Sequence, residues 1–214
     1  MDMKIRGKFL VLASMGLVAT LNITGCGSEP QQDTLPAGST VIALGDSLTY
    51  GYGASLDAAY PKVLADLSHW TVINAGVNGD TSADVLARVD DITKQNPDLV
   101  LLGVGGNDVL QRVQPETTRA NITATIDTLK SANIDVVLIA EPHFSASALF
   151  GQVSDNPLYE DIADAKEVPL YSGGWSEILS DDTLKSDRIH ANAAGYRQFA
   201  EGLHDYLQEE GLAR

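Results

Sequence analysis

The chain has 214 residues, 44% of them hydrophobic, which suits one ordinary domain with a sizeable core plus a short extension. Its formal net charge of −15 argues against nucleic-acid binding, because phosphate contacts need Lys and Arg, and disfavours long-range attraction to anionic substrates or anionic lipid surfaces. The single cysteine, Cys26, excludes an internal disulfide and a cysteine-ligated metal cluster.

Taken in chain order, residues 1–25 read as a leader rather than as part of the fold. Lys4, Arg6 and Lys8 give it a basic start, and residues 9–21 form an apolar run. A bilayer span needs about 20 apolar residues, so the run has the length of a secretory h-region instead. It ends in Ile23-Thr24-Gly25-Cys26, which resembles a bacterial lipobox. The resemblance implies cleavage before Cys26 and diacylglycerol on its sulfur, and two acyl chains suffice for a stable anchor. Gly27, where an Asp would retain the protein at the inner membrane, implies the periplasmic face of the outer membrane. An ordinary signal peptide with an incidental cysteine is the competing reading. Residues 26–39, with Pro30, Gln31, Gln32, Pro36 and Gly38, read as a flexible tether to a domain over 40–214.

Within that domain short apolar runs alternate with amphipathic stretches. Strands are predicted over 40–44, 71–74, 99–104, 136–140 and 168–171; several are continuous β-branched runs, as expected where both faces are buried. Helices are predicted over 57–67, 82–95, 115–132, 157–166 and 193–209. In the third of these Ile122, Ile126 and Leu129 share one face, and Asn133 is a plausible stop. Strict alternation predicts a three-layer α/β domain around a parallel sheet. Ligands of such sheets sit beyond the carboxyl ends of the strands.

The segments that follow the strands carry the chemistry. The first strand leads into Gly45-Asp46-Ser47-Leu48, the second into Ala75-Gly76-Val77-Asn78-Gly79-Asp80, and the third into Gly105-Gly106-Asn107-Asp108. Asp187-Arg188-Ile189-His190 precedes the last helix. Acyl transfer needs a hydroxyl, a base to activate it, an acceptor that fixes the base's tautomer, and donors for the oxyanion. Ser47 supplies the hydroxyl. His190 can take and return a proton near neutral pH. Asp187, three residues earlier, can reach its other ring nitrogen. The Ser47 N–H, the Gly79 N–H and the Asn107 side-chain amide are the candidate oxyanion donors, with glycine at 79 permitting close approach and unusual dihedrals.

With these four blocks in this order, the chain resembles the GDSL, or SGNH, hydrolase family over about residues 40–210. Its Ser, Gly, Asn and His positions match Ser47, Gly79, Asn107 and His190, with Asp187 as the acid. The resemblance implies a flavodoxin-like α/β/α sandwich with a five-stranded parallel sheet. It implies a serine esterase working through an acyl-enzyme, with neither metal nor cofactor, similar to small bacterial arylesterases, thioesterases and lysophospholipases. One departure is Ala191, where the family often has Pro after the histidine; the change removes a rigid ring from the His turn but no reacting group.

Several features carry competing readings. Asp46 reads as support for the nucleophile's turn. Gly103-Val104-Gly105-Gly106 lacks the spacing of a nucleotide loop. His69 and His204 read as surface residues on helices, and His143 lies in the long loop after the fourth strand. That loop, 141–156, contains Phe144, Leu149 and Phe150, a candidate substrate wall; packing on the domain edge is the alternative. Aryl, acyl or lysophospholipid esters are the expected substrates, and anionic acyl-CoA fits poorly. A carbohydrate O-deacetylase of the same family, acyl transfer to another acceptor, and a non-catalytic acyl- or glycan-binding envelope lipoprotein are the alternatives.

Overall fold

A computed structural model describes residues 34–143 and 153–214. Cys26, the leader, most of the tether, and Phe144, Leu149 and Phe150 lie outside the described residues.

Strand β1 (Thr40–Gly45) is almost wholly buried, which its run of Val, Ile, Ala and Leu favours. It pairs in parallel with β2 (Thr71–Gly76) on one side and β3 (Leu99–Gly103) on the other. Strand β4 (Asp135–Ile139) continues the sheet beside β3, and the two-residue β5 (Leu170–Tyr171) closes it. The order is β2-β1-β3-β4-β5, all parallel. Chain direction across the sheet reverses between β1 and β3, which opens a crevice at their carboxyl ends. The predicted five-stranded parallel sheet is thus present, with its last strand two residues shorter than expected.

Side chains alternate between two cores. Val41, Ala43, Leu99, Leu101, Val137 and Ile139 face α2 (Tyr60–Ser68), α8 (Gly174–Ser180) and α9 (Ala193–Glu209). Ile42, Leu44, Val100, Leu102, Val136 and Leu138 face α3 (Ser82–Ala87), α4 (Val89–Thr93), α6 (Pro115–Ser131) and α7 (Leu158–Lys166). The first core is aromatic: Trp175 stacks on Phe199 at 3.5 Å between centroids, and Tyr60 meets Phe199 edge-on at 5.0 Å. Each such buried side chain contributes roughly 1.5–3 kcal/mol.

Three short helices escape periodicity because each is about two turns or less: α1 (Ser47–Tyr50), α5 (Gly106–Gln111) and α8. The helix predicted over 57–67 divides into a 3₁₀ turn (Leu56–Ala58) and α2, with Ala59 extended between them and Pro61 in the first turn of α2, where a missing N–H costs nothing. The one predicted over 82–95 breaks at Arg88, whose φ of −113° leaves the helical range. Asn133 does end α6, in the left-handed region at φ 58°. At the base of the loop after β4, Pro142 and Asp155 form an antiparallel bridge, and the Asn156 N–H donates to the Glu141 carbonyl at 3.0 Å.

Candidate active site

The site begins with three strands that end on glycine at one level. Gly45 is in register with Gly76 on one side and Gly103 on the other. A Cβ at Gly45 would lie 2.1 Å from the Gly103 carbonyl oxygen, and one at Gly76 would lie 2.2 Å from the Tyr50 nitrogen. Side chains there would push apart the turn that follows β1. In that turn Asp46 caps α1, its Oδ1 accepting the Leu48 N–H at 3.0 Å. Ser47 is therefore the first residue of a helix, and its own N–H is among those a helix leaves without an internal acceptor. Leu48 and Thr49 are buried beneath it.

His190 arrives from the segment before α9, 143 residues further along the chain. Its Nε2 lies 3.0 Å from Ser47 Oγ. Its Nδ1 faces both oxygens of Asp187, at 2.8 Å to Oδ2 and 3.0 Å to Oδ1. Asp187 Oδ1 also accepts the N–H groups of Ile189 and His190, each at 2.9 Å. Burial works to raise the Asp187 carboxyl, but the Ile189 N–H, the His190 ring and the His190 N–H outweigh it and hold the acid below the usual carboxylate range. His190 is 9% exposed, and the Tyr52 ring lies against it at 4.5 Å between centroids. Tyr52 is pinned in turn by the Tyr196 hydroxyl, which donates to its carbonyl at 2.8 Å.

The Ala191 position does not leave this turn loose. Ala191 is buried and bridged to Lys185, and the Ser186 N–H donates to the His190 carbonyl at 3.0 Å. Asn192 caps α9 with its Oδ1 and donates through Nδ2 to the carbonyls of Thr183 and Lys185 at 2.8 and 3.2 Å.

Asn107 shares the cavity with the histidine, and Gly79 lies in the turn whose Asp80 carbonyl Asn107 engages. Gly79 has φ 87°, and a Cβ there would meet nothing within 4 Å; conformation rather than space calls for glycine. Its turn is anchored by Arg88, whose Nε donates to Asp80 at 2.9 Å and whose Nη2 donates to the Gly45 carbonyl at 2.9 Å. The helix breaks between α3 and α4 at the residue that makes this inward reach. Asn107 Nδ2 donates to Asp46 Oδ2 at 3.0 Å and to the Asp80 carbonyl at 2.9 Å. Both amide hydrogens are thus engaged in the resting structure, so an oxyanion must displace one acceptor. Asp108 beside it is buried and ties the start of α3 to α6, accepting the Ser82 N–H at 2.8 Å and the Thr118 hydroxyl at 3.0 Å.

Ser47, Asn107 and His190 share a cavity of about 10 Å³, room for about one water, with Asp46, Leu110, Ile189 and Glu141 among the other lining residues. Its described apolar wall is Leu48, Leu110 and Ile189. The expected wall of Phe144, Leu149 and Phe150 lies outside the described residues. His69 is exposed as expected, and so is His143, whose N–H donates to the Ser154 carbonyl at 2.8 Å. His204 differs: it is half-buried, and its Nε2 is without a hydrogen-bond partner among the described residues.

Sequence reasoning overlooked Arg88 and Glu141. Arg88 sat inside a predicted helix. Glu141 stands directly after a predicted strand, the position from which the Ser47, Gly79 and Asn107 segments start, and that placement was the signal for it.

A hydroxyl, an imidazole and a carboxylate in line beyond the carboxyl ends of parallel strands define a serine hydrolase on a three-layer α/β sandwich. Residues 43–198 match the GDSL-like lipase/acylhydrolase family. The chain is 33% identical over 179 residues to "Thioesterase 1/protease 1/lysophospholipase L1" of Escherichia coli K12, covering 80% of this chain and 85% of that protein. It is 36% identical over 109 residues to an arylesterase of Vibrio mimicus, covering 48% of this chain and 54% of that one. Its fold superposes on the psychrotrophic esterase EstA from Pseudoalteromonas sp. with a TM-score of 0.69, at 24% identity, over 80% of this chain and 97% of that one. The chain belongs to the GDSL-like lipase/acylhydrolase family, as an SGNH-type ester hydrolase.

Proposed function

We propose that the chain hydrolyses carboxylic esters of aryl, acyl or lysophospholipid type through an acyl-enzyme on Ser47. The observation that carries this is the single line from Asp187 Oδ2 through His190 to Ser47 Oγ, with contacts of 2.8 and 3.0 Å. As Ser47 Oγ bonds to the ester carbonyl carbon, its proton passes to His190 Nε2. Asp187 keeps the other ring proton on Nδ1 and stabilises the imidazolium. The Ser47 and Gly79 N–H groups receive the oxyanion. Asn107 joins them by turning one hydrogen away from its resting acceptor. The carbon–oxygen bond to the alcohol then breaks, and the alcohol leaves with the proton from His190. Water attacks the acyl-enzyme, gives its proton to His190, and releases the acid as Ser47 regains its hydrogen.

Ser47→Ala is expected to abolish hydrolysis of p-nitrophenyl acetate while the thermal melt stays within a few degrees of the wild type. An unchanged rate in that variant contradicts the assignment. A second reading is an O-deacetylase acting on acetylated carbohydrates, which would use the same nucleophile, base and oxyanion donors. A chain-length series of nitrophenyl esters separates the two: activity confined to acetyl supports the deacetylase, and a gain with longer acyl chains supports the acyl esterase. The net charge of −15 favours uncharged esters over anionic thioesters.

The proposal extends to location. Cleavage before Cys26 and acylation of its sulfur would hold the domain on the periplasmic face of the outer membrane through the tether 26–39. The lipobox-like Ile23-Thr24-Gly25-Cys26 supports this. Cys26→Ser is expected to move the protein from the membrane fraction to the soluble fraction of its host. Equal partition of both forms contradicts the anchor.

A further inference from the structure

Glu141 is a buried acid for which the hydrolytic steps have no use. It is 0% exposed, follows β4, and lines the cavity beside Ser47 and His190. Burying a carboxylate is costly unless it is paired, yet the titratable groups around it are Asp46 from the β1–α1 turn, Asp108 from α5, and the phenols of Tyr60 and Tyr159 from α2 and α7.

Its hydrogen bonds resolve the conflict. Oε2 accepts the Gly106 N–H at 2.6 Å. The carboxyl also lies beside that of Asp46 in the wall of the same cavity, near enough for each acid to shift the other. Two carboxyl groups in such contact must have a proton between them. Oε1 meets no N–H or hydroxyl donor among the described residues, as suits an oxygen that carries the proton itself. Burial raises both acids, and their mutual contact raises Glu141 while lowering Asp46, which puts the proton on Glu141.

We infer that Glu141 is a positioning residue for the hydrolytic site: as a neutral acid it donates to Asp46 and accepts from Gly106, fastening the turn that carries Ser47 to the turn that carries Asn107. Asp46 then has both oxygens in use, Oδ1 on the Leu48 N–H and Oδ2 on the Asn107 amide, each at 3.0 Å. Glu141 makes no hydrogen bond to Ser47 or His190 among the described residues; it fixes the group that aims Asn107.

Resting on the esterase reading, this is tested by kcat and KM for p-nitrophenyl acetate in the wild type and in Glu141→Ala, Glu141→Asp, Glu141→Gln and Ser47→Ala. Ala removes the bridge, Asp is too short to span both turns, and Gln keeps one donor and one acceptor. Misplacement of a catalytic group by about 1 Å can cost ~10²-fold in rate, so kcat is expected to fall at least about tenfold in the Ala and Asp variants, with KM changing less than about threefold. Gln is expected to recover most of that loss. A kcat for folded Glu141→Ala within about threefold of the wild type, or a Gln variant no better than the Asp variant, overturns the inference. Should Ala fail to fold, the Asp and Gln pair decides: Gln at least about tenfold faster supports it, and equal rates overturn it. An active wild type beside an inactive Ser47→Ala keeps the esterase reading standing when the Glu141 variants fail, so the two failures are told apart.

Discussion

His190 is held in one tautomer by its surroundings. Nδ1 faces two carboxylate oxygens, so it carries hydrogen, and Nε2 is left to accept from Ser47 Oγ at 3.0 Å. An amide in place of the Asp187 carboxylate can present its N–H to Nδ1 and favour the wrong tautomer. Asp187→Asn is therefore expected to cut kcat about 10²–10⁴-fold, with little change in KM; steady-state kinetics on an aryl ester check this. Gly79 gives a test of a different kind. No atom would obstruct a Cβ there, but its φ of 87° is strained for any L side chain. Gly79→Ala is expected to cost about 1 kcal/mol in stability and to lower kcat as the turn relaxes and its N–H leaves the oxyanion. An alanine variant with the wild-type kcat removes Gly79 from the oxyanion hole.

At the scale of elements, the site is four strand-end turns tied to one another. Arg88 ties the Gly79–Asp80 turn to the end of β1, Asn107 ties the β3 turn to both Asp46 and Asp80, and Glu141 bridges the β1 and β3 turns. Arg88→Met keeps much of the aliphatic stem while deleting both anchors. It is expected to lower kcat at least about tenfold through a loosened Gly79, with the melting temperature a few degrees lower; kinetics and a thermal melt read both effects. The sheet was legible because Thr40–Gly45 and Leu99–Gly103 are unbroken apolar runs, a pattern that forces burial on both faces. Ser47, Asp187 and His190 were legible because they fall in blocks placed after strands or before the last helix. The break at Arg88 was not, since it falls where a guanidinium reaches a carbonyl 43 residues earlier, which periodicity cannot register. Nor was the tie between Glu141 and Asp46, because two acids 95 positions apart give no local signal of a shared proton.

At the scale of the whole molecule, the two cores clamp the sheet so that the turns at its carboxyl edge become the working surface, and the buried acids there set how stability responds to pH. Asp187 is held low, so its contribution is present above the usual carboxylate range and is lost as pH falls through its lowered value. Asp46 and Glu141 are raised, Asp46 to about 7, mainly by burial. Their contribution is complete below the usual carboxylate range and is lost as pH rises through the raised values. Melting temperature is therefore expected to fall by roughly 5–10 °C between about pH 4.5 and pH 7.5, and less steeply in Glu141→Gln, which has one titrating acid fewer. A melting temperature that is flat or rising across that range contradicts the shared proton. The central claim is that Ser47 is the nucleophile of an ester hydrolase, and its most direct measurement is covalent. Treated with a fluorophosphonate, the active protein is expected to gain the mass of one phosphonyl group, mapped to the peptide containing Ser47, with no gain in Ser47→Ala and a much slower gain in His190→Ala. An active wild type that takes up no label, or a Ser47→Ala variant that labels as the wild type does, contradicts it.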